Sequence, residues 1–379
     1  MSFRHPRAFA LLFGGILVAV QAAFWLAPRA DFSAREKREL ADPPHLSASG
    51  VADGSVFKHA EDYLADHFPA RETLVGVSAY LQQAEGLNAA GDTLRGQDGW
   101  LFNAALPEKS KTLRKNAEAI GAFAEAQTVP VTLLAAPTSG AIVSDELPAL
   151  HDVYPDEMLL AEMERLLDGR VRYVDLYDAF STADDPETLY YSTDHHWTTI
   201  GAYQAYCLLM QANGKTPTPA DAFQIESVPG FYGTIYAKSG LWNTPPDQIE
   251  LWTDPSLRAY TTVWDDNKPT PIEQQGMLFH EYRSQDDKYP VFLGGNHARV
   301  SIQTDAPGGK RLLVVKDSYA HALAPFLAEQ YSQIDLLDLR YFKRQTVSDY
   351  LKEHPADEIL FVYGLQSLAS DKEIYKNLA

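Results

Sequence analysis

Two short segments carry side chains whose types and spacing could do chemistry. In "YYSTDHHWTT", Asp194 and His196 stand two positions apart, with His195 between them and Trp197 following. In an extended loop or at a helix start, side chains at that spacing can point to the same side. A carboxylate and an imidazole so placed would form the base half of a nucleophilic site, one orienting the ring and the other accepting a proton. Asp194, His195 and His196 could also ligate a metal, or only supply polarity at a helix start where Trp197 packs. In "LLVVKDSYAHALAP", an apolar run enters Lys316-Asp317-Ser318 and a helical pattern begins directly after it. A serine on such a turn lies beside free helix N–H groups that can stabilise an oxyanion. The plainer alternative is that Asp317 or Ser318 caps the helix.

For these distant segments to meet, the elements between them must form a common scaffold. Residues 112–127 and 155–167 have helical spacing, "VPVTLLAAP" reads as a buried strand, and "VRYVDLYDAF" as a strand running into a loop. "TTIGAYQAYCLLMQANG" is helical, with Gly214 placed to end it. "RLLVVKDSYAHALAPFLAEQY" reads as strand, tight turn and helix, and "IDLLDLRYF" and "EILFVYG" as further strands. This alternation predicts an α/β fold, a mostly parallel sheet flanked by helices, with Ser318 exposed at its C-terminal edge. Between residues 223 and 310 the helical period disappears, and "FYGTIYAKSGLWN" and "QIELWTDP" read as short strands with turns, rich in Tyr and Trp. That stretch is expected to be an inserted, irregular or β-rich segment. Earlier, residues 55–86 show helical spacing, and "GQDGWLF" reads as a turn and a short strand.

The bulk properties narrow the function. The chain has 379 residues, 32 Lys and Arg against 51 Asp and Glu, and a formal net charge of −19. Such an acidic surface repels phosphate backbones, so no nucleic-acid partner is expected. The clearest basic cluster, "EKSKTLRKNAE", alternates charge like the exposed face of a helix. The single cysteine, Cys207, can form no intramolecular disulfide and reads as a small hydrophobe in a helix. At the N-terminus, Arg4 and Arg7 precede an apolar run from Ala8 to Ala27 broken only by Gln21. Its length matches the ~20 residues that cross a bilayer, and its basic flank should stay cytoplasmic. We read residues 1–30 as a cytoplasmic N-terminus and transmembrane anchor, with a cleaved signal peptide as the rival. The polar, Pro-Pro-containing residues 31–55 read as a stalk and residues 56–379 as the ectodomain, with the insertion at about 223–310. The bulk of the chain is then expected in the periplasm or at the cell exterior.

Asp194-His195-His196-Trp197 is the motif that names the DHHW protein family of bacterial envelopes, and the chain resembles that family. "GQDGWLF", "FYGTIYAKSG", "LLVVKDSYA" and "LLDLRYF" look like further blocks of it, so the resemblance runs from about residue 34 to the end. The family in turn is similar to the SGNH-hydrolase-like proteins of alginate O-acetylation, which carry a D-x-H-W segment ahead of a serine turn. The resemblance implies an SGNH-hydrolase-like (flavodoxin-like) fold, with Ser318 as nucleophile, His196 as base and Asp194 as its orienter. It also implies O-acylation of an envelope polysaccharide or exopolysaccharide, beside a membrane-bound O-acyltransferase, with no cofactor and no metal. The chain departs from ordinary SGNH enzymes at Lys316, which stands where they have the glycine of Gly-Asp-Ser.

Several further residues are candidates for substrate or oxyanion contacts. Asn296 in "LGGNHARV" could donate to an oxyanion or simply form a turn. Arg340 in "DLRYF" could hold an anionic or acyl group, or form a structural ion pair. Tyr191, Trp197 and Trp242 could offer a platform to sugar rings, or pack in the core. His195 is read as a flanking residue and His321 as a polar-face residue of the helix after Ser318. Three functions follow: a serine O-acetyltransferase or acetylesterase, an inactive polysaccharide-binding or scaffolding subunit, and a metal-dependent hydrolase.

Overall fold

Strands that are apolar along both faces must be covered on both faces, and the centre of this chain is built that way. The computed structural model describes residues 6–33, 35–265, 268, 270–285 and 287–379. Arg4 of the basic flank lies outside the described residues. The chain divides into two units, a smaller one of residues up to Ala90 with Ala237–Trp242, and a larger one of the remainder.

In the larger unit, eight strands form the central sheet: β1 (Val131–Ala136), β2 (Arg172–Val174), β3 (Ala259–Trp264), β4 (Ile272–Gln275), β5 (Arg299–Thr304), β6 (Arg311–Lys316), β7 (Gln333–Leu337) and β8 (Glu358–Gly364). Their spatial order is β4-β3-β5-β7-β6-β8-β1-β2. The run from β7 to β2 is parallel, while β4, β3, β5 and β7 pair antiparallel. The fold is thus mixed α/β, with a large and mostly parallel central sheet. Alternate residues of the parallel strands feed two cores. Leu133, Ala135, Leu313, Val315 and Phe361 pack with the helices Lys111–Glu125 and Asp156–Leu167. Leu134, Ala136, Val314, Leu336 and Val362 pack with the helices Thr199–Ala212 and Ala320–Leu327.

The segment 223–310 is β-rich as expected, but much of it belongs to the main sheet: β3, β4 and β5 extend one edge of it. A separate antiparallel pair forms from Gln224–Phe231 and Asp247–Thr253. The expected strand in "FYGTIYAKSG" ends at Phe231, and Thr234–Ser239 is a helix instead. The physical reason is a tertiary contact: the Thr234 N–H donates to the Asp194 Oδ2 at 3.1 Å, so the backbone turns onto that carboxylate and does not continue as a ladder.

The smaller unit holds the apolar helix Pro6–Leu26 and the helices Ser55–Asp66 and Arg71–Ala84. Its stretch Phe9–Leu26 is long and apolar enough to cross a membrane. Phe24 meets Tyr63 edge-on at 6.5 Å, and the Arg29 guanidinium lies 4.2 Å from the Phe24 ring centroid. The Trp242 indole N–H donates to the Glu72 carbonyl at 3.2 Å, which places Trp242 as a packing residue of this unit.

Ser318 follows β6 directly, at the carboxyl end of the parallel strands. The turn is tied to β8: the Asp317 N–H donates to the Val362 carbonyl at 3.1 Å, and the Gly364 N–H donates to Asp317 Oδ2 at 2.9 Å. Gly364 is required there by close approach, because a Cβ would fall 2.9 Å from Tyr319 Cδ2 and nearer still to Cε2. Gly364→Ala should therefore destabilise the chain by about 2 kcal/mol, an overpacking cost. Urea denaturation of the detergent-solubilised protein checks this, and an unchanged midpoint would mean that Tyr319 moves aside freely.

Candidate active site

The 190–198 segment enters the helix Thr199–Ala212 through a cap in which the Thr198 hydroxyl accepts from the Gly201 N–H at 3.2 Å. Upstream, the Asp247 carboxylate grips the loop, accepting from the Ser192 N–H at 3.0 Å, the Thr193 N–H at 2.8 Å and both hydroxyls. This leaves Asp194 fully buried. Gly233 lies directly against it, where a Cβ would fall 2.5 Å from the Asp194 Cα.

Asp194, His196 and Ser318 meet in one hydrogen-bonded line. The His196 Nδ1–H donates to Asp194 Oδ1 at 2.8 Å, and Ser318 Oγ–H donates to His196 Nε2 at 2.7 Å. Asp194 also accepts from the His196 N–H at 3.1 Å and the Thr234 hydroxyl at 3.3 Å. Burial opposes its charge, but the adjoining histidines and these donors outweigh burial and hold the carboxyl well below the usual range. Burial, and after it the neighbouring His195, push the His196 imidazole down to about 4, against the pull of Asp194. At neutral pH the ring is therefore an uncharged base whose free nitrogen faces a hydroxyl. Ser318 is half-buried, and its N–H has no partner among the described residues.

Residues without a motif of their own complete this arrangement. Tyr289 stacks on the His196 ring at 4.1 Å and an 11° interplanar angle, and its hydroxyl donates to the Ser318 carbonyl at 3.2 Å. Tyr319 donates its hydroxyl to the His195 carbonyl and its own carbonyl accepts from the Trp197 indole at 3.1 Å. Tyr289 lies in "DKYPVF", which has no periodicity or spacing to mark it. Thr234 and Gly233 sit within a block that the family resemblance had already singled out.

The remaining candidates fall into two groups. Arg340 and Asn296 meet at the rim, where Arg340 Nη2 donates to Asn296 Oδ1 at 3.3 Å. Tyr191 and Trp197 are 2% and 0% exposed, so neither offers a ring face to a sugar; both pack in the core beneath the site. His195 remains partly exposed, with Nδ1 2.6 Å from the Thr234 hydroxyl. His321 is buried and makes no polar surface: its Nε2 accepts from Lys316 Nζ at 2.7 Å. Cys207 is free and half-buried. Asp194, His195 and His196 each present a donor atom within 4.8 Å of the others, as a metal would need. Both ring nitrogens of His196 are already spent on Asp194 and Ser318, however, so a metal there would break the line.

The model of the DHHW protein family matches residues 159–337, a stretch that includes Asp194–Trp197 and Ser318. The chain thus resembles the DHHW family over this stretch. A solved DHHW family protein from Eubacterium siraeum DSM 15702 is 24% identical with a TM-score of 0.63, covering 74% of this chain and 92% of that one. PatB1 of Bacillus cereus, solved with a sulfonyl adduct, is 22% identical with a TM-score of 0.64, covering 76% and 98%. The O-acetyltransferase domain of Pseudomonas putida AlgJ is 17% identical with a TM-score of 0.44, covering 74% and 92%. No curated protein matches the chain. The first two likenesses establish that DHHW and PatB1 structures share this fold.

The buried His196 gives a direct pH prediction. An unfolded imidazole titrates near 6.5, whereas the folded ring stays neutral down to about 4. Histidine Cε1 shifts followed by NMR should show one ring titrating near pH 4, absent in His196→Gln. Because the unfolded ring alone takes up a proton between these values, stability should fall as pH drops from about 6.5 towards 4. A His196 midpoint near 6.5 would contradict the dry environment described.

Proposed function

We propose that this chain is a serine-dependent O-acyl-transfer enzyme, an O-acetyltransferase or acetylesterase acting on an extracytoplasmic polysaccharide. The observation that carries the reading is the line from buried Asp194 through neutral His196 to the Ser318 hydroxyl. A charged carboxylate, a neutral base and a hydroxyl in that order are what a weak nucleophile needs. The placement after a parallel strand and before a helix supports an SGNH-hydrolase-like reading of the fold.

In the proposed reaction, His196 Nε2 takes the Ser318 proton as Oγ attacks the acyl carbonyl. The tetrahedral oxyanion is received by the unpartnered Ser318 N–H. Collapse breaks the bond to the donor's leaving group, which takes the proton from His196 and leaves an acyl-serine. His196 then accepts the proton of a sugar hydroxyl, whose oxygen attacks the acyl carbon. The second collapse returns the proton to Ser318 and releases the acylated sugar; water in place of the sugar gives hydrolysis. Asp194 keeps the ring in one tautomer and balances the imidazolium charge at each transfer.

The polysaccharide acceptor and a membrane-bound O-acyltransferase partner come from the resemblance to alginate O-acetylation proteins. The apolar helix Pro6–Leu26 supports a single membrane anchor, since 21 residues at helical rise span about 30 Å. On this reading residues 31–55 link the anchor to an ectodomain of residues 56–379, facing the periplasm or exterior.

A sulfonyl fluoride tests the nucleophile directly, since PatB1 has been solved with a sulfonyl adduct. Intact mass should show one sulfonyl group on the wild-type chain and none on Ser318→Ala. Release of acetate from 4-nitrophenyl acetate should fall about 10³-fold or more in Ser318→Ala and His196→Ala. Equal labelling and equal turnover in wild type and Ser318→Ala would overturn the proposal.

A further inference from the structure

Arg340 is held in a manner that a plain structural ion pair does not need. Its Nε and Nη2 donate to Asp338 Oδ1 and Oδ2 at 2.9 and 2.6 Å, and its N–H donates to Oδ1 at 3.2 Å. The Lys316 ammonium lies 3.3 Å from the same Oδ2, and both Lys316 and Asp338 are 0% exposed. One buried carboxylate thus meets both basic groups, and its pull on Lys316 works against the burial that lowers the lysine's pKa. His321 does not balance them, because burial and then the charge of Lys316 push its ring well below the ordinary range, leaving it neutral. Asp317, the other acid of the turn, makes no hydrogen bond to Arg340: its oxygens accept from the Tyr319 and Gly364 N–H groups at 3.0 and 2.9 Å.

The guanidinium is only partly spent by these contacts. Its side chain is 33% exposed, and Nη1 has no partner among the described residues. Asn296 lends its Oδ1 to Arg340 Nη2, and its exposed side chain keeps Nδ2 without a partner among the described residues. Strand pairing brings the Arg340 turn and the Ser318 turn to the same end of the sheet. Val315 of β6 pairs with Leu337 of β7, so Asp338–Arg340 leave the sheet edge alongside Lys316–Ser318. The charge of Arg340 also acts on His196 and on Asp317.

We infer that Arg340 and Asn296 receive an anionic substituent, a carboxylate or phosphate, on the molecule that reacts at Ser318, and that Lys316 and Asp338 are positioning residues for that cation. Asp338 fixes the plane of the guanidinium, while Lys316 supplies a second charge so that Asp338 does not cancel Arg340. Two unspent N–H donor groups on side chains already in contact suit the paired oxygens of a carboxylate or phosphate. This inference rests on the acyl-transfer reading for its reaction, but the binding site itself can be measured separately.

The full-length chain would be assayed with neutral 4-nitrophenyl acetate and anionic 4-acetoxybenzoate. In Arg340→Gln the kcat/KM ratio of the anionic over the neutral ester should fall about tenfold, chiefly through a higher KM for the anion. Lys316→Met should move the ratio in the same direction by leaving a neutral Arg340–Asp338 pair. A merely structural role, or a role only in stabilising the oxyanion, would lower both esters alike, and an unchanged ratio in both variants would overturn the inference. Calorimetric binding of inorganic phosphate to Ser318→Ala, weakened about tenfold by adding Arg340→Gln, reads the site without turnover. Arg340-dependent phosphate binding in a chain that turns over neither ester would uphold the anion site and remove the acyl-transfer reading. Serine-dependent turnover with phosphate binding and ester ratio both indifferent to Arg340 would do the reverse.

Discussion

A carboxylate with no solvent exposure is tolerated only when its charge is answered from every side, and Asp194 is such a group. Its oxygens accept from the His196 ring and backbone, and from Thr234 through both N–H and hydroxyl. Meeting that demand shapes the surrounding chain. The backbone at Gly233 must approach without a Cβ, the segment after it turns into a helix where a strand is expected, and Asp247 holds residues 192 and 193 in place. The orientation of His196 is a consequence: with Nδ1 committed to Asp194, Nε2 is left for Ser318.

Three buried acids of this region have different partners and so different roles. Asp194 answers an imidazole. Asp317 answers backbone N–H groups of Tyr319 and Gly364 and thereby fixes the turn that presents Ser318. Asp338 answers two cations, Lys316 and Arg340. Lys316, the residue before Asp317, fits this scheme. Lys316 is the last residue of its strand and does not have a positive φ, so the turn makes no demand for glycine there. The side chain instead runs into the interior, where it reaches Asp338 and His321.

Burial settles which aromatic residues can meet a ligand. Trp197 spends its indole N–H on the Tyr319 carbonyl and its ring edge-on against Tyr319 at 5.1 Å. Tyr191 meets Phe231 edge-on at 5.0 Å. These contacts make the two rings supports for the 194–196 loop, and remove them as a sugar platform. The ring that lies flat on His196 belongs to Tyr289, in a part of the chain where neither helical nor strand spacing pointed to a function.

Features that depend only on neighbours along the chain were legible in the residues themselves. Unbroken apolar runs such as 131–136 and 311–316 require strands covered on both faces, and the alternation of strand and helix requires parallel pairing. The two-residue spacing of Asp194 and His196 lets one loop present both, and the strand-to-helix turn exposes Ser318. Contacts between distant segments were decided only by the tertiary structure. Sheet order brings β7 beside β6 and so places Arg340 near Ser318, and it recruits β3, β4 and β5 from a stretch that reads as an insertion. Periodicity is a local property, whereas strand order, and the burial of a charge among donors from segments far apart in the chain, are set by how the whole chain packs.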